Sequence, residues 1–265
     1  MKVYVGCSGY YYKDWVGVFY PPRLRRDEWI KYYAKHFVVL ELNATFYGFP
    51  DRGSIKSMLS RVKDLRFSVK VNRLFTHTRN YTQEDVKKFL YGIEPILEED
   101  RLIALLFQFP HTFGYSQENL EYIRRLGRYF SEVEKVVEVR SRSFDRKDFF
   151  NFLEEEGFSI VNADAPMSDR YLVGPWVGVG AINYVRLHGR DPQHPYQYLY
   201  TLEELKKIKN KIKKLGDRET YIFFNNTDRA KAVFNAFQMK MLWGMEVNIP
   251  QHMERFYREK EWEGT

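Results

Sequence analysis

The sequence predicts an α/β fold, a single (β/α)8 barrel of the TIM type over residues 1–265. Three observations predict it. The chain of 265 residues with 44% apolar side chains has the size and the core of one such barrel. Eight short apolar or alternating runs are separated, for most of the length, by amphipathic helical patterns. The side chains that alternate with the apolar ones in those runs are charged or amide-bearing and gather toward the ends of the runs.

In chain order, Val3 to Cys7 reads as the first strand, followed by an aromatic loop from Tyr10 to Pro22. Ile30, Tyr33, Ala34 and Phe37 mark the first helix and Val38 to Leu42 the second strand. Arg66 to Val71 is the third strand; Val86, Phe89, Leu90 and Ile93 carry a helix; Ile103 to Phe109 is the fourth. Leu120, Ile123 and Leu126 lead to a fifth strand at Val136 to Arg140, and Phe149, Phe152 and Leu153 to a sixth at Ser159 to Asp164. From Ala165 to Asn183 the residues Pro166, Gly174, Pro175, Gly178 and Gly180 replace the sixth helix with a long loop. Tyr184 to Leu187 is the seventh strand. Leu202, Leu205, Ile208, Ile212 and Leu215 recur at helical spacing among lysines and stop at Gly216, and Tyr221 to Phe224 is the eighth strand, leading into a last helix. An open doubly wound sheet would share much of this pattern.

Splitting each run by alternation gives an apolar set (Leu40, Leu42, Phe67, Val69, Leu105, Phe107, Val137, Val139, Val161, Ala163, Val185, Leu187) and a polar one. The polar set holds Glu41, Asn43, Ser68, Lys70, Asn72, Gln108, Glu138, Arg140, Asn162, Asp164, Arg186 and His188. If the apolar set packs on the helices, the polar set points into the barrel. Ions there lose several kcal/mol of hydration unless paired, so they form either a functional pocket or a buried ionic network such as Glu41 with Lys70 and Glu138 with Arg186.

The formal charge of +7 favours anionic partners: a small anionic substrate, or nucleic acid. Much of that excess lies on the 204–218 segment, which also reads as a solvated helix face. Cys7 is the one cysteine, so no internal disulfide or thiolate cluster forms, and it reads as a small core residue. The start lacks the pattern of a secretory signal and no apolar stretch reaches 18 residues, so the expectation is a cytoplasmic protein with no membrane partner. Protein partners are not legible.

Several ordered strings then stand out: Ser8-Gly9-Tyr10-Tyr11-Tyr12-Lys13-Asp14-Trp15, Phe19-Tyr20-Pro21-Pro22, Glu41-Leu42-Asn43-Ala44-Thr45-Phe46-Tyr47, Thr76-His77, Phe107-Gln108-Phe109-Pro110, Glu138-Val139-Arg140, Arg186-Leu187-His188-Gly189-Arg190 and Phe224-Asn225-Asn226-Thr227. Together and in this order the chain resembles the YecE-like family, or domain of unknown function 72. That resemblance implies a TIM-type barrel and no established activity. Ser143-Phe144 departs from the Trp that follows the Glu-x-Arg string in many relatives, with Phe144 expected to pack in its place.

Candidate catalytic residues are Glu41, Lys70, Glu138, Asp164, Arg186 and His188, with Glu138 or Glu41 as general base, His188 as acid partner, and Arg186 and Lys70 holding a developing negative charge. His188 also reads as a hydrogen-bond partner of Asp164. Candidate substrate-binding residues are Tyr10, Trp15, Asn43, Tyr47, His77, Gln108, Arg140, Arg190, Asn225 and Asn226. Rings of the first loop stack on a base or sugar, or simply pack the rim. Gly189-Arg190 and Asn225-Asn226-Thr227 occupy the places where barrels bind phosphate. No cofactor is named; Glu41, Glu138, Asp164 and His188 are ligand types for a divalent metal, against which the adjacent cations argue. Phosphate-loop, dinucleotide, zincin and esterase signatures are absent. The resulting expectation is an enzyme doing acid–base or hydrolytic chemistry on an anionic, phosphorylated or sugar-containing substrate. The alternatives are a nucleic-acid-binding or processing barrel, metal-dependent in the manner of endonuclease IV, and a non-catalytic ligand-binding scaffold.

Overall fold

The structure, a computed structural model, describes residues 1–166 and 174–255. Eight parallel strands follow one another round a closed barrel: β1 (Val3–Ser8), β2 (Val39–Leu42), β3 (Arg66–Lys70), β4 (Leu102–Gln108), β5 (Lys135–Glu138), β6 (Phe158–Asp164), β7 (Asn183–Leu187) and β8 (Thr220–Phe224). β1 closes the ring on β8 in the register Val3↔Thr220 to Cys7↔Phe224. The expected strands are all present, within one or two residues at each end. The open-sheet alternative is excluded by that closure.

The helices are α1 (Trp29–Ala34), α2 (Arg52–Leu59), α3 (Gln83–Glu98), α4 (Gln117–Tyr129), α5 (Lys147–Glu155), α6 (Leu202–Ile212) and α7 (Lys231–Leu242). Capping boxes open α3 at Thr82 with Asp85 and α6 at Thr201 with Glu204, satisfying first-turn amides that have no helical partner. Among the described residues no helix stands between β6 and β7, as the Gly/Pro pattern predicted; residues 167–173 lie outside the described ones. Nor, among them, is any helix long and apolar enough to cross a membrane.

Two apolar layers flank the strands. Leu40, Leu42, Phe67, Val69, Leu105, Phe107, Val137, Val185 and Leu187 pack outward with helical residues such as Ile30, Phe89, Ile123 and Phe149. Cys7 lies buried in this layer, and Phe144 packs there, stacked on Phe113 at 5.9 Å. A separate cluster of Val39, Ala104, Leu106, Val136, Val161, Ala163, Tyr184 and Phe223 fills the lower barrel interior. The charged groups of the polar set therefore gather in the upper interior, while at the lower end Arg66 donates to Tyr221 Oη at 3.0 Å.

Strand β6 corrects the two-set reading. Val161 and Ala163 belong to the interior cluster, so Asn162 and Asp164 face away from it. The reason lies in what covers this strand. Where a helix would offer apolar side chains, the returning loop offers backbone: Asn162 donates from Nδ2 to Val177 O at 3.0 Å and accepts from Val177 N at 2.9 Å. Gly178 lets that loop lie flat, because a Cβ there would fall 2.0 Å from Leu215 O.

Candidate functional site

The C-terminal ends of β2, β5 and β7 place Glu41, Glu138 and Arg186 on the barrel axis. Arg186 donates from Nε and Nη2 to the two oxygens of Glu41 at 3.0 and 2.7 Å, and from Nη1 to Glu138 Oε2 at 2.5 Å. Tyr184, one layer below, donates to Glu41 Oε2 at 2.8 Å. Burial pushes both carboxyls up, but Arg186 outweighs it, so Glu41 is held below its ordinary value and Glu138, also faced by His188 and Arg140, well below it. The expected Glu138–Arg186 pair is present. Glu41, however, pairs with Arg186 and not with Lys70, and neither carboxylate is poised to take a proton as the expected general base.

Above this ionic floor opens a cavity of about 430 Å³. Its basic lining consists of Lys70, His77, Arg140 and Arg186, with Asn43, Gln108, Asn225 and Thr227 as neutral polar groups and Tyr12, Phe46, Tyr47 and Tyr196 as aromatic walls. Lys70 Nζ donates to Gln108 Oε1 at 2.8 Å and lies 4.1 Å from the centre of the Phe46 ring. Burial, with Arg186 and Arg140 adding to it against Glu138 and Glu41, brings Lys70 down to about 7. His77, beside the same ring, is lowered to about 4 by burial and by the charge of Lys70, which leaves it neutral at pH 7. Asn43 lines the cavity, and its Oδ1 is buried with no hydrogen-bond partner among the described residues.

His188 sits behind the lining. Its Nδ1 lies 2.9 Å from Asn225 Nδ2 and its Nε2 3.5 Å from Glu138 Oε1. An amide nitrogen can only donate, so Nδ1 accepts and the ring proton is assigned to Nε2, facing the carboxylate. Burial lowers the ring's proton affinity. His188 thus connects Glu138 to Asn225, which itself reaches the cavity.

Asn43, Tyr47, Lys70, His77, Gln108, Arg140, Arg186 and Asn225 are brought together here as the sequence suggested. Others are not. Asp164, on the outward face of β6, accepts from Arg190 Nε and Nη2, both at 2.8 Å, and from Tyr200 at 2.9 Å. Only its backbone oxygen meets His188, accepting from His188 N at 2.8 Å. Arg190 also pairs with Glu204, so both members lie in a clamp tying β6 to the start of α6. Asn226 is buried and donates to Tyr198 O and Asn235 Oδ1. Trp15 is fully buried and donates to Thr227 O at 2.7 Å, so its ring packs the rim and does not meet a ligand. Tyr10 lines a different cleft, beside Arg26, Ser54 and Arg61. In the turn after β8, Asn225 and Thr227 line the cavity, while Arg229 N already donates to Asp14 Oδ2 at 2.7 Å.

Of the other cavity residues, Phe46 and Tyr196 were missed by sequence reasoning, while Tyr12 and Thr227 were read only as parts of the aromatic loop and of the Asn225-Asn226-Thr227 string. Tyr12 and Phe46 were visible inside the marked strings, two and one positions from residues that were chosen; Tyr196 had no signal. With Asp164 turned outward and both glutamates on Arg186, the residues that could have formed a metal set do not converge. Among the described residues no three His, Cys, Asp or Glu side chains are placed to hold an ion.

A family model described as a protein of unknown function, DUF72, matches residues 4–258. The UPF0759 protein YunF of Bacillus subtilis is 27% identical over 284 residues, covering 96% of this chain and all of that one. A crystal structure of a DUF72 family protein from Thermotoga maritima matches with a TM-score of 0.85 at 35% identity, covering 92% of this chain and 100% of that one. A second, from Enterococcus faecalis, gives 0.78 at 23% identity, covering 92% and 98%.

Proposed function

The chain belongs to the DUF72 (YecE-like) family, and from the pocket its barrel builds we propose an enzyme that binds a small anionic, phosphorylated or sugar-containing substrate and performs acid–base chemistry on it. One observation carries this reading: among the described residues no carboxylate lines the cavity, whose charged side chains are Lys70, Arg140 and Arg186, while Glu41 and Glu138 are turned underneath to hold Arg186 and, from Glu138, Arg140. Such a floor attracts negative charge and is fixed before the ligand arrives, so little reorganisation accompanies its binding.

Lys70 is the chemically active amine of the cavity. Near pH 7 it is populated both as ammonium and as amine, which suits a general acid or base working at neutrality. Arg186 and Arg140 would stabilise charge that develops on the substrate, and Tyr12, Tyr47 and Tyr196 supply faces for a sugar ring. The glutamates act as positioning residues for Arg186, a change from the role expected of them.

Thermal unfolding of the protein with matched pairs of compounds, each with and without its phosphate, tests the reading. The phosphorylated member of some pairs is expected to raise the midpoint, with no rise in Lys70→Met. Equal responses within every pair would overturn it.

A further inference from the structure

Gln108 determines what Lys70 can do. Its Nε2 donates to Phe109 O at 2.9 Å, which fixes the amide so that Oε1 faces Lys70 Nζ at 2.8 Å. An amide oxygen accepts an N–H from an amine and from an ammonium alike, whereas a carboxylate would hold the extra proton in place. Among the described residues no carboxylate forms an ion pair with Nζ, because Glu41 and Glu138 are directed to Arg186. The titratable groups that act on Lys70 are Arg186, Glu138, Glu41 and Arg140, and His77 shares the Phe46 ring with it. Once deprotonated, Nζ keeps one N–H on Gln108 and has a lone pair to present to the cavity.

We propose that Lys70 is a nucleophilic catalytic residue, whose amine condenses with the carbonyl of an anionic aldehyde or ketone bound against Arg140 and Arg186 to form an imine. This rests on the anion-binding reading above and adds the substrate class: a carbonyl compound carrying carboxylate or phosphate. In the first step the N–C bond forms, the C=O π pair moves to oxygen, and one N–H proton passes to that oxygen, giving a carbinolamine. In the second the hydroxyl leaves as water, and nitrogen supplies the pair for C=N. The carbonyl oxygen and both hydrogens of the neutral amine end up in that one water, so no oxidant or reductant is needed. The neutral His77 imidazole, held at Nδ1 by Thr76 at 2.9 Å, is the group placed to carry the proton between steps. At pH 7 roughly half of the Lys70 amine is unprotonated, against roughly one part in three thousand for an ordinary surface lysine.

The experiment treats the full chain at pH 7 with pyruvate or, separately, dihydroxyacetone phosphate, in the presence of cyanoborohydride, and maps reduced adducts by peptide mass spectrometry. Modification of the Lys70 peptide at least about tenfold faster than any other lysine is expected from the difference in free amine. Excess inorganic phosphate should slow it, Lys70→Arg should abolish it, and the faster of the two reagents identifies which anionic group the pocket prefers. Mapping on the unaltered protein locates the adduct whether or not the variant folds. Adducts spread evenly over surface lysines, while phosphate still raises the unfolding midpoint, would overturn the imine and leave anion binding standing. Even labelling with no phosphate response would overturn both.

Discussion

At the residue scale the pocket rests on one arginine and one lysine used in opposite ways. Arg186 stays charged between two buried carboxylates, whereas Lys70 is desolvated with only a neutral acceptor. The sequence showed both as cations at strand ends; it could not show their partners, because Glu41 and Arg186 are 145 positions apart. Holding a lysine at about 7 makes its protonated form costly by up to about 5 kcal/mol relative to the unfolded chain. That cost is full below pH 7, where both states are protonated. It lifts as pH rises from about 7 toward 10.5, where the folded protein has lost the proton and the unfolded chain still holds it. Lys70→Met is therefore expected to raise the unfolding free energy by about 2–5 kcal/mol at pH 6, with the gain shrinking steadily toward pH 10. Urea denaturation across that range checks it, and a gain that does not change with pH would count against the desolvated lysine.

At the scale of elements, all eight strands were located in the sequence, and alternation assigned the inward face correctly for β2, β3, β4, β5 and β7 but not for β6. β6 is the exception because its cover is an irregular loop, so its polar residues turn outward to meet backbone amides and the inner position falls to Val161 and Ala163. The aromatic first loop was similarly half legible. Its rings were evident, but burial of Trp15 against Thr227 depends on the turn after β8, which lies 212 positions away. Asp14 completes the same tie by accepting from Arg229 N. Asp14→Ala is expected to cost about 1 kcal/mol, in the range for lost capping side chains, and to loosen the rim. The first part is read from denaturation, the second from faster hydrogen exchange at Arg229; unchanged exchange would show that the tie contributes nothing.

At the scale of the whole molecule, the closed barrel with its polar upper interior was readable from eight runs and their charged alternates. Which charges face a ligand was not, since that depends on how three cations share two carboxylates. The net charge of +7 described the surface, while the cavity owes its sign to Lys70, Arg140 and Arg186 over paired glutamates. Isothermal titration with sulfate, whose own charge is constant over the range, tests that assignment directly when done at pH 6 and pH 8.5 on the wild type and on Lys70→Met. Wild-type affinity is expected to fall by about tenfold or more as Lys70 loses its proton, and the variant to bind weakly at both values. Sulfate binding that ignores both pH and Lys70, or no binding at all, would contradict the account.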